Sequence, residues 1–357
     1  MSLKPYIETL IAGDRHLTSD ETFEAFSQIL QGADEVNVGS LLCLLRARRE
    51  TPEEIAGMVQ AMNALCRPVQ CGPDVKLLDI VGTGGDGADT INISTASVVL
   101  AAACGATVAK IGNRSVSSQC GSSDVLEALG VKVVELTPSQ VEECVKQVGI
   151  AFMFAPTHHP ATKHVVPVRR KLGVRTCFNM LGPMTNPASA QHTVIGVFHP
   201  ELLPLVSQTL QKVGRVDHAV VIHGCGLDEI SPLGPSTIVE IQNTAPPGEP
   251  RVYTEKQFEF DPASIGIKRC ELADLKGGGP KENAEKFRQV LEGGTHYDAK
   301  RDAIILNAGF GCYVYGLAKT IEEGCELARK TLESGKAATK LQDWIKASQD
   351  IVANASS

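Results

Sequence analysis

The feature that most constrains the fold is a glycine-rich turn between an apolar run and a helix with a polar start. Residues 77–96 read LLDIVGTGGDGADTINISTA, with four glycines between positions 82 and 87. The apolar opening is typical of a buried strand, and glycines let a backbone approach a ligand closely. Asn92, Ser94 and Thr95 are residue types favoured at helix N-termini. A strand, a glycine loop and a helix in this order present free N–H groups and a helix dipole to a phosphate.

The glycine loop belongs to none of the common nucleotide-binding patterns. It matches neither G-x-G-x-x-G nor G-x-x-x-x-G-K-[ST], so neither a dinucleotide fingerprint nor a P-loop is indicated. An ordinary strand-to-helix turn is the alternative, because glycine loops are common at such junctions. The four glycines, Asp86 and the nearby hydroxyl side chains favour the phosphate interpretation.

The pattern of apolar residues divides the chain into a helical part and a mixed part. Residues 1–70 read as helices only, with helix-start signals at Thr18 and Thr51. From residue 75 helices alternate with short apolar runs, and strands are predicted at 77–81, 107–111, 132–136, 150–155, 194–197, 219–223, 238–241 and 252–260. The predicted fold class is α/β, with a small all-helical domain and a large α/β domain whose mostly parallel central sheet is flanked by helices.

Charge and composition argue against two classes of partner. The net charge is −7, which argues against a nonspecific nucleic-acid partner. No run of about 18 apolar residues occurs and the first residues lack a secretory pattern, so no membrane partner is expected. The eleven cysteines form no C-x-x-C pair and no zinc-like quartet. They predict reduced thiols, and hence a cytoplasmic or other soluble intracellular location.

A long polar connection follows the predicted strand at 107–111. Residues 110–124 include Lys110, Asn113, Arg114, five serines and two glycines. A loop after a parallel strand lies at the carboxyl edge of the sheet, where α/β proteins bind ligands, and these donors suit phosphate oxygens. A solvated loop is the alternative, although the length of the connection speaks against a plain one.

Paired histidines and paired arginines occur in the segment after residue 155. His158 and His159 are adjacent, so they do not share a helix face, and no third ligand stands nearby in the sequence. A metal site is therefore not favoured there. The next residues read as a helix with Pro167 inside, which predicts a kink or a break. Of the adjacent Arg169 and Arg170, only one need face a pocket, where its guanidinium would suit a carboxylate-bearing substrate.

Two further motifs combine a turn with polar residues. Residues 179–187, NMLGPMTNP, predict a tight turn that shapes a hinge or a pocket wall. The run VVIHGCGLDEIS places the adjacent acids Asp228 and Glu229 after a predicted strand. Paired carboxylates suit Mg²⁺ when it bridges to a phosphorylated substrate, whereas a solvated acidic loop is the alternative. No T-G-x-T turn follows the acids, so the common phosphoribosyl-diphosphate motif is absent.

Together these motifs resemble the anthranilate phosphoribosyltransferase family of tryptophan biosynthesis. The resemblance rests on GTGGD…TINISTA, KIGNRSVSS..GSSDVLEALGV, HHPA…VRRKLGVRTCFNMLGPMTNPA, HGCGLDEIS and GGGPKENA, in that order along the chain. It implies Mg²⁺-dependent transfer of phosphoribosyl from 5-phosphoribosyl 1-diphosphate to anthranilate, which gives N-(5-phosphoribosyl)anthranilate and pyrophosphate. It also implies a homodimer formed through a helical domain of residues 1–72 plus a segment near 165–190. Residues 73–164 and 191–357 would form the diphosphate-binding α/β domain.

The resemblance also implies roles for individual residues. Phosphoribosyl diphosphate would be held by Gly82, Thr83, Gly85, Asp86, Thr90, Asn92, Ser94, Thr95, Lys110 and Ser122. Anthranilate would be held by Gly82, Asn113, His159 and Arg169, and magnesium by Ser94, Asp228 and Glu229. No general base is indicated, because an aryl amine is largely neutral at neutral pH.

Three positions depart from the pattern of the family. Ile111 stands where a histidine is usual, Gly279 where an aspartate is usual, and Thr162 where methionine or tyrosine is usual. The first and the third concern the side of the aromatic acceptor, so phosphoribosyl transfer is better supported than anthranilate as the acceptor. Two other functions stay open at this point: a pyrimidine nucleoside phosphorylase-like enzyme and a non-catalytic nucleic-acid-binding relative.

Overall fold

Four helices form a bundle at the N-terminus of the computed structural model, which describes residues 2–115, 118–293 and 298–355. They are α1 (Lys4–Ala12), α2 (Ser19–Leu30), α3 (Glu35–Arg48) and α4 (Pro52–Ala64). The helix starts predicted at Thr18 and Thr51 are confirmed as capping boxes, in which each threonine accepts from the N–H of a glutamate three residues on. The glutamate carboxylate accepts from the threonine N–H in return. Each helix buries apolar side chains in the bundle, among them Leu10, Phe26, Leu41 and Met58.

A seven-stranded sheet forms the centre of the remaining chain. Its strands are β1 (Leu78–Gly82), β2 (Val108–Gly112), β3 (Ile150–Phe154), β4 (His192–Gly196), β5 (His218–Gly224), β6 (Ser236–Asn243) and β7 (Tyr253–Phe260). Their order in the sheet is β3-β2-β1-β4-β5-β6-β7. The first five strands are parallel, and β6 and β7 are antiparallel to their neighbours. The predicted mostly parallel sheet is therefore confirmed.

Helices cover both faces of this sheet. They are α5 (Ile93–Ala103), α6 (Ser122–Leu129), α7 (Pro138–Val148), α11 (Leu202–Val213), α12 (Leu272–Leu275), α13 (Pro280–Leu291), α14 (Asp298–Tyr315), α15 (Ile321–Glu333) and α16 (Lys336–Ala355). Helices α5 and α14 pack against each other and against β1, and both are buried along most of their length.

One predicted strand is wrong. Residues 132–136, which are all described, form no strand, and the backbone bends at residues 134 and 135. Val131, Val133 and Leu136 still bury their side chains in the core. The backbone N–H of Lys132 donates to the Ser348 hydroxyl of α16 at 3.0 Å. The apolar residues that suggested a strand are thus buried by packing against helices.

A second helical segment connects β3 to β4. It contains α8 (Ala155–His158), a 3₁₀ turn (Pro160–His164), α9 (Val166–Leu172), α10 (Phe178–Leu181) and a 3₁₀ turn (Gly182–Met184). Pro167 lies in the first turn of α9, where its missing N–H costs nothing, so the chain breaks before it rather than kinking within one helix.

The second helical segment packs against the N-terminal bundle. A Cβ at Gly39 of α3 would lie 3.7 Å from Val168 and from Leu172, so α9 runs close against α3. The rings of Phe26 and Phe178 stack with centroids 5.6 Å apart. These contacts agree with a helical domain built from two segments, whose residue boundaries stay a prediction.

In the part of the chain that is described, helices that are long and apolar enough to cross a membrane are absent.

Candidate active site

The candidate site lies where the order of the strands reverses. Strands β1 and β4 are neighbours in the sheet, although β2 and β3 come between them in the chain. The connections that leave β1 and β4 therefore diverge, which opens a crevice at the carboxyl edge of a parallel sheet. Gly82 and Gly196 end these two strands and are paired in register.

The two strand-end glycines make room for the segment that carries Asp228. A Cβ at Gly82 would lie 2.2 Å from Asp228 Oδ2, and a Cβ at Gly196 would lie 1.6 Å from the Asp228 carbonyl oxygen. The Gly84 N–H donates to Asp228 Oδ2 at 2.6 Å, and the Thr83 N–H donates to the Gly196 carbonyl at 2.9 Å. The glycine loop, the end of β4 and the acidic segment therefore form one tightly packed unit.

Three carboxylates gather beside this unit. Glu229 Oε1 accepts from the Ser94 N–H in the first turn of α5 at 3.1 Å, and Asp228 lies next to it in the chain. Burial is the main cause that raises the pKa of both carboxyls, and the charge of Asp86 raises each of them further. Lys110 offsets this negative charge only in part. Buried carboxylates of this kind, which are hard oxygen ligands, fit a divalent cation.

The site suits a cation that is bound partly by the protein and partly by the substrate. Within residues 2–115, 118–293 and 298–355, no group of three or more His, Cys, Asp or Glu side chains is arranged to hold a metal ion. Mg²⁺ commonly takes one or two carboxylates together with phosphate oxygens and water. Asp228 and Glu229 supply such a pair, and Ser94 stands beside Glu229.

Lys110 is the positive charge of the site. It lies on β2, is 1% exposed, and its Nζ donates to the Ile80 carbonyl of β1 at 2.6 Å. Burial lowers the pKa of the Lys110 ammonium, while the charges of Asp79, Glu229 and Asp228 act to raise it. A buried ammonium facing carboxylates is well placed to bind an anionic group.

The start of α5 is tied to two other parts of the chain. Asn92 occupies the N-cap position, yet its Nδ2 donates to the Cys120 carbonyl at 3.0 Å and its Oδ1 accepts from Asn283 Nδ2 at 3.0 Å. Thr95 Oγ1 donates to the Ser122 hydroxyl at 3.0 Å. Sequence reasoning missed Asn283, whose only signal is its place in the run GGGPKENA.

The residues predicted to bind the diphosphate lie along one edge of the sheet. Gly82, Thr83, Gly85, Asp86, Thr90, Asn92, Ser94 and Thr95 run from the end of β1 into α5, Lys110 lies on β2, and Ser122 begins α6. Thr90 also forms an antiparallel bridge with Lys276. Residues 116 and 117 of the serine-rich loop lie outside the described residues.

The residues predicted to bind the acceptor are more widely spread. Asn113 is exposed just after β2, and its Oδ1 accepts from the Arg114 N–H at 2.7 Å. His159 is buried after β3, with Nε2 bonded to the Thr185 carbonyl at 2.8 Å. Arg169 lies on α9 with its guanidinium over the ring of Phe178, 5.4 Å from the centroid. No hydrogen bond joins these three side chains in the described parts of the chain.

The paired histidines are each engaged by the backbone. His158 Nδ1 bonds the Arg67 carbonyl at 3.1 Å, in the connection after the bundle, while His159 bonds the turn at Thr185. Burial lowers the pKa of both imidazoles. One nitrogen of each ring thus ties a separate stretch of backbone to this segment.

The three departures from the family pattern have different surroundings. Ile111 is 3% exposed and packs in the main hydrophobic core. Thr162 Oγ1 donates to the His159 carbonyl at 2.7 Å. Gly279 is the N-cap of α13, and a Cβ there would meet open space. Within the described residues, none of these three residues hydrogen-bonds the side chain of Asp228, Glu229 or Lys110.

Arg175 is a further residue that sequence reasoning missed. It hydrogen-bonds the carbonyl of Gly85 in the glycine loop, and its guanidinium lies over the ring of Phe198, 4.3 Å from the centroid. A lone arginine in the run GVRTC carries no recognisable signal. It links the second helical segment to the glycine loop.

Comparisons with known proteins agree in family and in fold. Residues 4–66 match the helical bundle domain of the glycosyl transferase family, and residues 74–338 match its a/b domain. The anthranilate phosphoribosyltransferase of Chlamydia caviae is 42% identical over 98% of this chain and 97% of its own. That of Methanosarcina acetivorans is 43% identical over 96% of this chain and 89% of its own.

Solved structures of the same kind superpose on nearly the whole chain. Anthranilate phosphoribosyltransferase from Thermus thermophilus gives a TM-score of 0.87 at 41% identity, covering 96% of this chain and 99% of the other. The Saccharomyces cerevisiae enzyme, in complex with PRPP and Mg, gives 0.87 at 28% identity and covers 98% of each chain.

Proposed function

The chain belongs to the anthranilate phosphoribosyltransferase family, and on that premise we propose that it transfers phosphoribosyl from 5-phosphoribosyl 1-diphosphate to anthranilate. It is an enzyme of the glycosyltransferase type, and the reaction is a step of tryptophan biosynthesis. The products are N-(5-phosphoribosyl)anthranilate and pyrophosphate. The observation that carries the proposal is the hydrogen bonding of Asp228 to Gly84 and of Glu229 to Ser94. These bonds bring the glycine loop, the start of α5 and two carboxylates to one crevice.

The charges and hydrogen-bond donors of this crevice support the proposed binding of the diphosphate. N–H groups of the glycine loop and of the first turn of α5 suit phosphate oxygens, and Lys110 adds a buried positive charge. Asp228, Glu229 and Ser94 would hold Mg²⁺. When bound, the ion supplies positive charge that stabilises the departing pyrophosphate.

In the proposed reaction the protein forms no covalent bond with either substrate. The anthranilate amine forms a bond to ribose C1 as the bond from C1 to the pyrophosphate oxygen breaks. Because the amine is neutral at neutral pH, it has a lone pair for the attack without a base. Once the C–N bond has formed, the positively charged nitrogen releases one proton to water. Orientation of the two substrates and stabilisation of the leaving charge then account for most of the rate enhancement.

The acceptor carboxylate is assigned to Arg169. This residue is half-buried on α9, whereas its neighbour Arg170 is exposed, which leaves one arginine of the pair to face a pocket. Asn113 and His159 are proposed as the remaining acceptor residues, together with the Gly82 backbone. Both follow neighbouring parallel strands, β2 and β3, at the same edge of the sheet.

Arg169→Ala is expected to weaken the binding of anthranilate more than the binding of phosphoribosyl diphosphate. Loss of one charge-assisted bond of about 1.5–3 kcal/mol raises the KM for anthranilate roughly ten- to a hundredfold. Steady-state kinetics with each substrate varied in turn measure the effect, and Arg170→Ala serves as the matched control. An equal rise of both KM values in Arg169→Ala would remove the residue from the acceptor site.

We also propose that the chain forms a homodimer through its helical domain. Ile11, Val36 and Val174 are 62%, 76% and 58% exposed, and all three belong to the bundle or to the segment packed on it. The resemblance to the family implies a dimer through this domain, and these exposed apolar side chains are available to such an interface between subunits. Light scattering of the dilute protein is expected to give twice the chain mass of 38.0 kDa. A mass that stays at 38.0 kDa would exclude the dimer.

One assay separates the proposed reaction from its alternatives. The protein is mixed with Mg²⁺, phosphoribosyl diphosphate and anthranilate, and the loss of anthranilate fluorescence is followed. Turnover that requires all three components supports the transferase. If none occurs at high enzyme concentration, phosphorolysis of uridine or thymidine tests the nucleoside phosphorylase function. Binding of a labelled oligonucleotide tests the nucleic-acid-binding function.

A further inference from the structure

The hydrogen-bond ladder between β1 and β2 is interrupted close to the site. β1 pairs with β4 over five residues, and β2 pairs with β3 over five residues. Between β1 and β2 themselves, the described structure holds a single pair, Leu78 with Val108. Beyond that pair no further backbone pair joins the two strands within the described residues, on the side where the glycine loop and the loop at Asn113 begin.

Side chains occupy the place of the missing ladder. Asp79 Oδ2 accepts from the Ile111 N–H of β2 at 3.3 Å and from Asn186 Nδ2 at 2.7 Å. The same Asn186 nitrogen donates to the Ala109 carbonyl of β2 at 2.9 Å. Lys110 Nζ reaches back to the Ile80 carbonyl of β1 at 2.6 Å. Backbone groups that a continuous ladder would pair are thus satisfied by three buried polar side chains.

We propose that Asp79 and Asn186 are positioning residues that hold β1 and β2 apart and so set the place of Lys110 relative to the glycine loop. The inference rests on the proposed function, in which Lys110 and the glycine loop bind the same diphosphate. It also assigns a role to the run NMLGPMTNP. Asn186 Oδ1 accepts from the Ala188 N–H at 2.9 Å, so the turn presents its amide to Asp79 in a fixed orientation.

A purely structural role does not account for a carboxylate at this position. An unbroken backbone ladder would satisfy the same groups without burying a charge, and a buried carboxylate is costly. Asp79 is 1% exposed, and burial raises the pKa of its carboxyl to about 6. Its charge in turn favours the ammonium form of Lys110. The polar arrangement therefore separates the strands and supports the charge that the site requires.

The chain offers a matched control in the same surroundings. Asp79, Asn186 and Thr193 line one cavity of about 30 Å³. Thr193 is paired in register with Asp79 on the opposite neighbour, β4, and is 5% exposed. The Thr193 hydroxyl has no hydrogen-bond partner among the residues that are described. Thr193→Val therefore alters the same cavity without touching the gap between β1 and β2.

The test compares Asp79→Leu, Asp79→Asn, Asn186→Ser and Thr193→Val with the wild type. Binding of phosphoribosyl diphosphate with Mg²⁺ is measured by calorimetry, KM and kcat by the fluorescence assay, and folding by thermal unfolding. Asp79→Leu and Asn186→Ser are expected to weaken diphosphate binding about tenfold or more, since each removes hydrogen bonds across the gap. Asp79→Asn keeps an acceptor for the Ile111 N–H but loses the charge that favours the Lys110 ammonium, so its affinity is expected to lie between those of Asp79→Leu and the wild type. Thr193→Val is expected to bind as the wild type does.

The outcomes separate this inference from the proposed function. If the wild type does not turn over anthranilate, the proposed function fails, whatever the variants do. If the wild type is active and Asp79→Leu or Asn186→Ser binds phosphoribosyl diphosphate normally, the positioning role is overturned. A fall in melting temperature without a change in affinity of the folded protein also overturns it, because a merely structural role predicts that result. If Asp79→Leu does not fold, Asn186→Ser still tests the positioning role, and so does the partial rescue expected in Asp79→Asn.

Discussion

The double variant Asp228→Asn with Glu229→Gln is expected to lose phosphoribosyl transfer by more than about a hundredfold in kcat/KM. The two carboxylates are proposed to hold Mg²⁺, and the charge that a metal supplies to a leaving group is worth several kcal/mol. Amide side chains keep the size of the acids but lack the negative charge that the ion requires. The Mg²⁺ concentration that gives half-maximal activity is expected to rise in parallel.

The stability of this variant provides its internal control. Burial and the charge of Asp86 raise the pKa of both carboxyls, so neutral amides remove unfavourable charge from the folded state. In Asp228→Asn, the oxygen of the new amide could still accept from the Gly84 N–H. The melting temperature is therefore expected to hold or to rise while activity is lost. An unchanged Mg²⁺ titration in the double variant would refute the assignment of these residues to the metal.

Gly196→Ala is also expected to cause a large loss of activity, although Gly196 contacts no substrate in the proposed mechanism. The new Cβ would lie 1.6 Å from the Asp228 carbonyl oxygen and 2.4 Å from its carbonyl carbon. These are backbone atoms, so the acidic segment has to move away from the glycine loop. Overpacking costs about 1–3 kcal/mol in stability, and we expect kcat/KM to fall by about a hundredfold as the carboxylates are displaced.

Thermal unfolding and kinetics measure the two parts of this effect, and Gly182→Ala is the matched control. Gly182 also has a negative φ, and a Cβ there would meet no atom within 4 Å. The control is expected to keep its activity and its melting temperature. Should Gly196→Ala retain full activity, the close packing of Asp228 on the strand ends would not be required for function.

Local patterns predicted the parts of the fold that local chemistry determines. The capping boxes at Thr18 and Thr51 and the glycine loop after β1 occur where short-range rules place them. The wrong strand prediction at residues 132–136 arises because tertiary contacts, not local chemistry, determine the structure there. A short apolar run is compatible with a strand or with packing against helices, and only the tertiary contact to Ser348 decides.

Part of the candidate site could also be predicted, because some of its residues form a local sequence motif. Asp228 and Glu229 are adjacent and follow an apolar strand, so they form a visible motif. Gly196, Asn186 and Asn283 are single residues whose importance depends on partners far along the chain. Asn186 bonds Asp79 across 107 positions, and Asn283 bonds Asn92 across 191. Without an approximate fold, no periodicity or spacing relates such residues.

The division of the helical bundle between two stretches of chain has a consequence for biosynthesis. The ion pair between Glu35 of α3 and Lys171 of α9 joins residues 136 positions apart. At about 5–20 residues per second, the ribosome needs roughly seven to twenty-seven seconds to make the intervening chain. The face of α3 beside Gly39 stays uncovered during that time. The N-terminal helices are therefore expected to complete their folding late, and to be most vulnerable to aggregation or proteolysis while the nascent chain is still being extended.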